Sequence, residues 1–124
     1  MRALIVDDSS FIREYLRHLL HRMGIVCEEA VDGNDALTVL ARAQEFDLML
    51  LDVNMPVMSG LECVRTLREK RLGPEMKVMM VTTEADHSFI TAALDNGADE
   101  FLMKPFTPDS LREKMLLMGF VAAA

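Results

Sequence analysis

The sequence predicts an α/β fold in which a five-stranded parallel sheet is covered by helices on both faces. Five short apolar runs alternate along the chain with five amphipathic stretches, and such alternation is typical of strands joined by crossover helices. Three of the runs are continuously apolar over four residues, as expected for strands buried on both faces. The runs span residues 3–6, 25–27, 48–51, 78–81 and 101–103.

The order of burial among the strands is also predicted from these runs. The runs at 3–6, 48–51 and 78–81 are continuously apolar over four residues, which indicates the central strands. The run at 25–27 is followed directly by two glutamates. Because charged side chains are typical of a sheet edge, we expect the second strand to lie at one.

The first two helices are predicted from apolar stripes at helical spacing. In the first helix, Arg13, Arg17 and His21 are predicted to face away from the core, and Gly24 ends the helix. The second helix follows a turn that begins at Asp32. The stripes consist of Ile12, Leu16, Leu19, Leu20 and Met23 in the first helix and of Leu37, Leu40 and Ala43 in the second.

The other three helices are predicted mainly from signals at their ends. Ser59 and Glu62 have the spacing of a capping box at the start of the third helix, and residues 72–74 are expected to stop it. The fourth helix is predicted over residues 86–96. The fifth begins where Pro108 takes the first helical position.

Length and composition limit the class of protein. The 124 residues, 51% of them hydrophobic, predict a single globular domain over residues 1–124. A net charge of −7 argues against direct binding of nucleic acid, which depends on lysine and arginine. The longest apolar stretch, 115–124, is about half the ~20 residues of a membrane-spanning helix, so no membrane insertion is expected. The absence of a signal peptide predicts a cytoplasmic protein, in which Cys27 and Cys63 are reduced thiols.

Polar side chains follow the ends of four predicted strands. Asp7 and Asp8 follow the first strand, Asp52 the third, Thr82 the fourth and Lys104 the fifth. Ligands of open parallel sheets bind beyond these ends, so the carboxylates meet if the first and third strands are neighbours. Carboxylates that close need a neutralising cation, and oxygen ligands favour a hard ion such as Mg²⁺. A lone aspartate such as Asp8 often only caps a helix, but the whole set favours a site.

These residues resemble the receiver domain of two-component response regulators, most of all its stand-alone chemotaxis (CheY-like) type. The similarity covers essentially the whole chain and implies a flavodoxin-like sheet of strand order 2-1-3-4-5. The matching motifs are Asp7-Asp8, Asp52-Val53-Asn54-Met55-Pro56-Val57-Met58-Ser59-Gly60, Thr82 and Lys104-Pro105-Phe106.

The resemblance implies a role for each residue of the site. Asp52 would accept a phosphoryl group from the phosphohistidine of a histidine kinase or phosphotransfer protein. Mg²⁺ would be held by Asp8, Asp52 and the backbone carbonyl of Asn54, with Asp7 acting through a water molecule. Lys104 would stabilise charge on the phosphoryl group.

The resemblance also implies how the signal would leave the site. Thr82 would donate its hydroxyl to a phosphoryl oxygen, and Phe101 would turn inward and reshape the face of the fourth helix, fifth strand and fifth helix. That face would bind a downstream protein. Phe101 lacks the tyrosine hydroxyl of the chemotaxis type, so looser coupling is expected. Asn54 and Glu84 match positions that tune hydrolysis, which implies a short-lived phosphoryl group.

Two further positions bear on the site through this resemblance. Thr83 stands where the family usually carries a smaller residue, which predicts narrower access for small phosphodonors. The Lys104–Pro105 bond matches a cis peptide of the family, although a trans bond is also open.

Several functions stay open at this point. The chain fits a diffusible regulator, a phosphorelay intermediate or a receiver fragment of a larger response regulator, as a monomer or weak dimer. A phosphatase of the haloacid dehalogenase type also uses aspartates at strand ends with Mg²⁺. That family needs a D-x-D motif after the first strand, where this chain has adjacent Asp7 and Asp8. We expect a signalling phosphoprotein that catalyses only its own phosphorylation and dephosphorylation, rather than an enzyme.

Overall fold

Strands and helices alternate along the whole described part of the chain. The computed structural model describes residues 1–42, 45–55, 57–83 and 87–120, and of His87 only the backbone. The elements are β1 (Arg2–Val6), α1 (Ser10–His21), β2 (Val26–Ala30), α2 (Gly33–Arg42), β3 (Leu48–Asp52), α3 (Gly60–Glu69), β4 (Lys77–Thr82), α4 (His87–Asp95), β5 (Glu100–Met103) and α5 (Pro108–Leu117).

The five strands form one parallel sheet in the order β2-β1-β3-β4-β5. This confirms the predicted fold class, with β1, β3 and β4 at the centre and β2 at an edge. The edge strand is longer than predicted and continues through Glu28 and Glu29 to Ala30. Its backbone pairs with β1 along its full length, and such pairing at an edge does not need apolar side chains.

Helices cover both faces of the sheet because strand side chains alternate between the faces. Leu4 and Val6 of β1 face α2, α3 and α4, whereas Ala3 and Ile5 face α1 and α5. Every residue of Leu48–Asp52 is buried, as expected for a central strand. Each face of the sheet therefore has its own apolar core. Polar side chains lie instead at the carboxyl ends of the strands.

Most predicted helix ends agree with the structure. Gly24 and Gly97 follow α1 and α4 with φ angles of 80° and 108°. Thr107 caps α5 and Pro108 takes its first position, as predicted. Ala43 of the second predicted stripe and residue 86 of the fourth predicted helix lie outside the described residues.

The third helix begins at its predicted cap but ends earlier than predicted. The Ser59 hydroxyl accepts the Glu62 N–H at 3.2 Å and donates to the Glu62 carboxylate at 3.3 Å, a local cap built from the predicted pair. The helix ends at Glu69, before the predicted stop at 72–74. Arg71, with φ of 54°, takes a left-handed conformation two residues before Gly73, so the chain turns earlier than predicted.

Cys27 and Cys63 are buried free thiols, in agreement with the predicted reduced state. Burial raises the pKa of Cys27 to about 11 and that of Cys63 to about 12, so both are protonated at neutral pH. Among the described residues, no helix is long and apolar enough to cross a bilayer.

Candidate functional site

The site lies at the carboxyl edge of the sheet, where four strands end side by side. Asp7 follows β1, Asp52 ends β3 and Thr82 ends β4. Because β1 and β3 are neighbours, Asp7 and Asp52 reach the same point. The Lys104 N–H donates to the Thr82 carbonyl at 2.8 Å, which ties the residue after β5 to the end of β4.

Lys104 links the two buried carboxylates. Its Nζ lies 3.2 Å from Asp7 Oδ2 and 3.2 Å from Asp52 Oδ1. Asp7 and Asp52 are 2% and 5% exposed, so one ammonium is shared by two carboxylates that have little solvent to screen them. Asp8 is exposed at the mouth of the site. One carboxylate oxygen each of Asp7, Asp8 and Asp52 lies within 4.8 Å of the others.

Backbone groups hold Asp7 in place. Asp7 Oδ1 accepts the Ser9 N–H at 2.8 Å, and the Asp7 N–H donates to the Ala30 carbonyl at 3.2 Å. The Ser9 hydroxyl caps α1 by accepting the Ile12 N–H at 3.3 Å. Ser9, rather than Asp8, therefore caps the helix, and Asp8 is left at the mouth of the site.

The chain after Asp52 turns back closely against β3. The Gly60 N–H donates to the Val53 carbonyl at 2.9 Å, so α3 begins beside the end of the strand. A Cβ atom on Gly60 would lie 2.6 Å from the backbone oxygen of Asp52. Only glycine allows this approach, which sets the position of the Asp52 backbone.

The charges of the site perturb one another. Burial and the nearby charge of Asp7 raise the pKa of Asp52, against the opposing effect of Lys104 and a hydrogen bond from the Asn54 N–H. Burial lowers the pKa of Lys104, but the charges of Asp52 and Asp7 outweigh it and the net shift is upward. Lys104 is therefore charged at neutral pH, and this single cation faces a cluster of three carboxyl groups.

This donor set fits a hard divalent cation. All three side chains offer carboxylate oxygens, and they carry more negative charge than Lys104 neutralises. Across the described ranges, this is the one group of His, Cys, Asp and Glu side chains close enough to share a metal ion. Oxygen donors of this kind match Mg²⁺ rather than a softer metal.

The structure places the other predicted site residues around this centre. Thr82 is buried, whereas Thr83 and Asn54 are exposed. Phe101 is half-buried on β5, and the Lys104–Pro105 bond is cis. Glu84 lies outside the described residues.

Arg13 is a residue of this region that sequence reasoning missed. It was predicted to face away from the core, but its side chain is only 14% exposed. The Arg13 Nη1 donates to the Asp7 carbonyl at 2.7 Å and Nε donates to Glu29 Oε1 at 3.0 Å. Arg13 directly follows Ile12 of the apolar stripe and so lies at its flank, where the ends of β1 and β2 enclose it. The signal available in the sequence was the pair of glutamates in the edge strand, to which no cationic partner had been assigned.

Comparison with known proteins agrees with this geometry. The chain matches the family of the response regulator receiver domain over residues 3–116. A chemotaxis protein CheY homolog of Campylobacter jejuni is 37% identical over 116 residues, which cover 93% of this chain and 89% of that protein.

Solved structures show the same similarity. The chemotaxis protein CheY4 of Vibrio cholerae has a TM-score of 0.87 at 36% identity, with 94% of this chain and 96% of that chain covered. A CheY-like receiver domain protein of Methanospirillum hungatei has a TM-score of 0.84 at 33% identity, with 94% and 91% covered. With its strand order and its aspartate cluster, the chain belongs to the response regulator receiver domain family of two-component signalling, and within it to the CheY-like type.

Proposed function

We propose that Asp52 accepts a phosphoryl group from the phosphohistidine of a histidine kinase or phosphotransfer protein. The observation that carries this proposal is the buried Asp52 carboxylate, 3.2 Å from Lys104 Nζ and grouped with Asp7 and Asp8. A carboxylate oxygen attacks the phosphorus atom as the P–N bond breaks. The electron pair of that bond returns to the imidazole, which takes up a proton, and the product is an aspartyl phosphate.

The carboxylates are proposed to hold Mg²⁺. Asp8, Asp52 and the backbone carbonyl of Asn54 would bind the ion directly, and Asp7 would bind it through a water molecule. When bound, Mg²⁺ would neutralise charge on the phosphoryl oxygens. The excess negative charge and oxygen-only donors of the cluster support this proposal.

Lys104 and Thr82 are proposed to bind the transferred group. The Lys104 ammonium already lies against Asp52, so it needs only a small movement to pair with a phosphoryl oxygen. Thr82 is proposed to donate its hydroxyl to a second phosphoryl oxygen. Its place at the end of β4 supports this role, because β4 is the next strand to β3, which carries Asp52. Such fixed charges and donors are the main source of catalysis in phosphoryl transfer.

The signal is proposed to leave through the face formed by α4, β5 and α5, which would bind a downstream protein. Phe101 is half-buried on that face and is proposed to turn inward when Thr82 binds the phosphoryl group. Phe101 has no hydroxyl to hydrogen-bond across the face. We therefore expect its position to be less tightly coupled to phosphorylation than that of a tyrosine.

The aspartyl phosphate is proposed to be short-lived. A water molecule attacks the phosphorus atom, which releases inorganic phosphate and restores the Asp52 carboxylate. Asn54 is exposed beside the site, which supports a role in placing this water, and Glu84 is proposed to assist it. An aspartyl phosphate that persists for hours would contradict this part of the proposal.

Access for small phosphodonors is proposed to be limited by Thr83, which is exposed and lines a cavity with Lys104. Thr83→Ala should then be phosphorylated faster by acetyl phosphate than the wild type. An unchanged rate would show that access is not limited there.

The proposed setting is a single receiver domain over residues 1–124 that acts in the cytoplasm as a monomer or weak dimer. It is proposed to be a diffusible regulator without nucleic-acid binding or membrane insertion. A phosphorelay intermediate and a receiver fragment are the alternatives, and transfer from the aspartyl phosphate to a second histidine protein would favour the first of them. A haloacid dehalogenase-type phosphatase is disfavoured because Asp7 and Asp8 are adjacent.

The central test is phosphorylation with acetyl phosphate and Mg²⁺, followed by intact mass. The wild type should gain one phosphoryl group, whereas Asp52→Asn should gain none. Asp95→Asn, an exposed aspartate of α4, is the matched control and should behave as the wild type. A wild type without the adduct, or an Asp52→Asn variant that carries it, would overturn the assignment of Asp52.

A further inference from the structure

Arg13 lies between the loop that carries Asp7 and the edge strand β2. Its Nη1 donates to the Asp7 carbonyl at 2.7 Å, and its Nε donates to Glu29 at 3.0 Å. Only 14% of its side chain is exposed. A guanidinium buried to this extent is fixed by its hydrogen bonds, because leaving one unmade would carry the full desolvation cost.

The Asp7 carbonyl belongs to the peptide group that joins Asp7 to Asp8. The Asp7 carboxylate is held separately, by the Ser9 N–H at 2.8 Å and by Lys104 at 3.2 Å. Asp8 is exposed, so burial does not set its direction. The orientation of the peptide before Asp8 therefore sets where the Asp8 carboxylate points, and Arg13 holds that peptide.

We propose that Arg13 is a positioning residue for the proposed Mg²⁺ site, which it organises by fixing the peptide between Asp7 and Asp8. The inference rests on the proposed function, since it assumes that these carboxylates bind Mg²⁺. Arg13 does not bind the ion. It acts through the backbone, as groups outside the ligand set commonly orient metal ligands.

Glu29 completes the arrangement from β2. It accepts from Arg13 Nε at 3.0 Å and from Arg17 Nη1 at 2.7 Å. Burial raises the pKa of Glu29, but Arg17 and Arg13 outweigh it and hold the pKa below its usual value. Glu29 thus stays ionised and orients the Arg13 guanidinium toward Asp7. Arg17 donates to the same Glu29 carboxylate, whereas Arg13 also donates to the Asp7 carbonyl, so Arg17 serves as a matched control.

The direction in which Mg²⁺ affinity changes when Arg13 is removed distinguishes a positioning role from a purely electrostatic effect. The Arg13 guanidinium, which is hydrogen-bonded to the backbone of Asp7, would repel a divalent cation in the site, so its removal should tighten Mg²⁺ binding if charge alone mattered. If Arg13 positions Asp8, its removal should weaken binding instead. Arg13→Gln and Arg17→Gln each remove one of the two positive charges paired with Glu29. Only Arg13→Gln also removes the hydrogen bond to the Asp7 carbonyl.

The test is titration of the folded chain with MgCl₂, followed by amide chemical shifts. Arg13→Gln should weaken Mg²⁺ binding about tenfold, the usual size for loss of an orienting group. It should also shift the amide signals of Asp8 and Ser9 before Mg²⁺ is added. Arg17→Gln should stay within about twofold of the wild type, because exposed ion pairs contribute little.

Each outcome decides the inference. Binding by Arg13→Gln that equals or exceeds the wild type, with the wild type binding Mg²⁺, overturns the role of Arg13 alone. A wild type that does not bind Mg²⁺ overturns the proposed metal site and this inference together. Where Arg13→Gln does not fold, Arg13→Lys gives the same test, because lysine lacks the fork that reaches both partners. We expect it to bind about threefold more weakly, and unchanged affinity would overturn the inference.

Discussion

The ammonium group of Lys114 lies 4.3 Å from the centre of the Phe101 ring. Lys114 Nζ also lies 3.2 Å from Glu100 Oε1, and the same oxygen accepts the Phe101 N–H at 3.0 Å. Phe101, Glu100 and Lys114 therefore form one closed set of contacts between β5 and α5. A tyrosine at position 101 would carry a hydroxyl, whereas the ring of Phe101 is in a cation–π contact with Lys114.

Loss of the Lys114 charge should weaken this contact. Lys114→Met keeps the aliphatic stem but removes the cation and the ion pair, and we expect a loss of about 1 kcal/mol in the free energy of unfolding. Urea denaturation measures the change. Lys70→Met, at an exposed lysine after α3, should have almost no effect. Equal losses in the two variants would show that the ring contact contributes nothing.

Asp52→Asn should stabilise the folded chain at neutral pH. The pKa of Asp52 is raised by burial and by Asp7, so the folded state binds the proton more tightly than the unfolded state. The stability that comes from this proton is present below the unfolded pKa and is lost as pH rises through the folded pKa. Removing the charge should therefore increase the free energy of unfolding by about 1 kcal/mol at pH 7, a typical size for one substitution.

The pH dependence identifies the cause of that gain. The difference between Asp52→Asn and wild type should shrink as pH falls toward the unfolded pKa of about 4. Thermal denaturation without divalent cations, from pH 7 down to pH 4, measures it. A gain that is the same at every pH would indicate a packing effect instead of relief of charge repulsion.

Gly60→Ala should destabilise the chain although alanine favours helices. The new Cβ would meet the backbone oxygen of Asp52 at 2.6 Å, and backbone cannot move aside easily. We expect a loss of about 2 kcal/mol, in the range typical of overpacking. The control is Gly33→Ala in α2, where the new Cβ would lie 2.8 Å from the flexible end of Met58. In denaturant unfolding, the free energy of unfolding of Gly60→Ala should be well below that of Gly33→Ala. The reverse order would refute the close approach of Gly60 to the Asp52 backbone.

Val57→Asn should stabilise the chain. Val57 has a φ of 70°, a left-handed conformation that is costly for a β-branched residue, and it is 89% exposed. Asparagine adopts this conformation more readily, so we expect a gain of about 0.5 to 1 kcal/mol. Val26→Asn is the control, because this exposed valine lies in a regular strand and should lose stability. A loss at Val57 would mean that the valine side chain has a packing role.

Local sequence determined the elements of this fold and most of the residues that end them. Continuous apolar runs marked β1, β3 and β4 because both faces of these strands are buried. The glutamates of β2 indicated an edge strand, because charged side chains are typical of a sheet edge. Asp7, Asp8, Asp52 and Lys104 were recognisable as a set. A lone aspartate after a strand often only caps a helix, but charged residues after several strands of one parallel sheet favour a site.

The tertiary structure decided what these residues touch. Sharing of Lys104 between Asp7 and Asp52 depends on which strands are neighbours, and no local pattern contains that information. Arg13 was misplaced for the same reason. Helical periodicity reports whether a side chain faces the apolar core, but it does not report that β1 and β2 end beside the flank of this helix and offer a carbonyl and a carboxylate there.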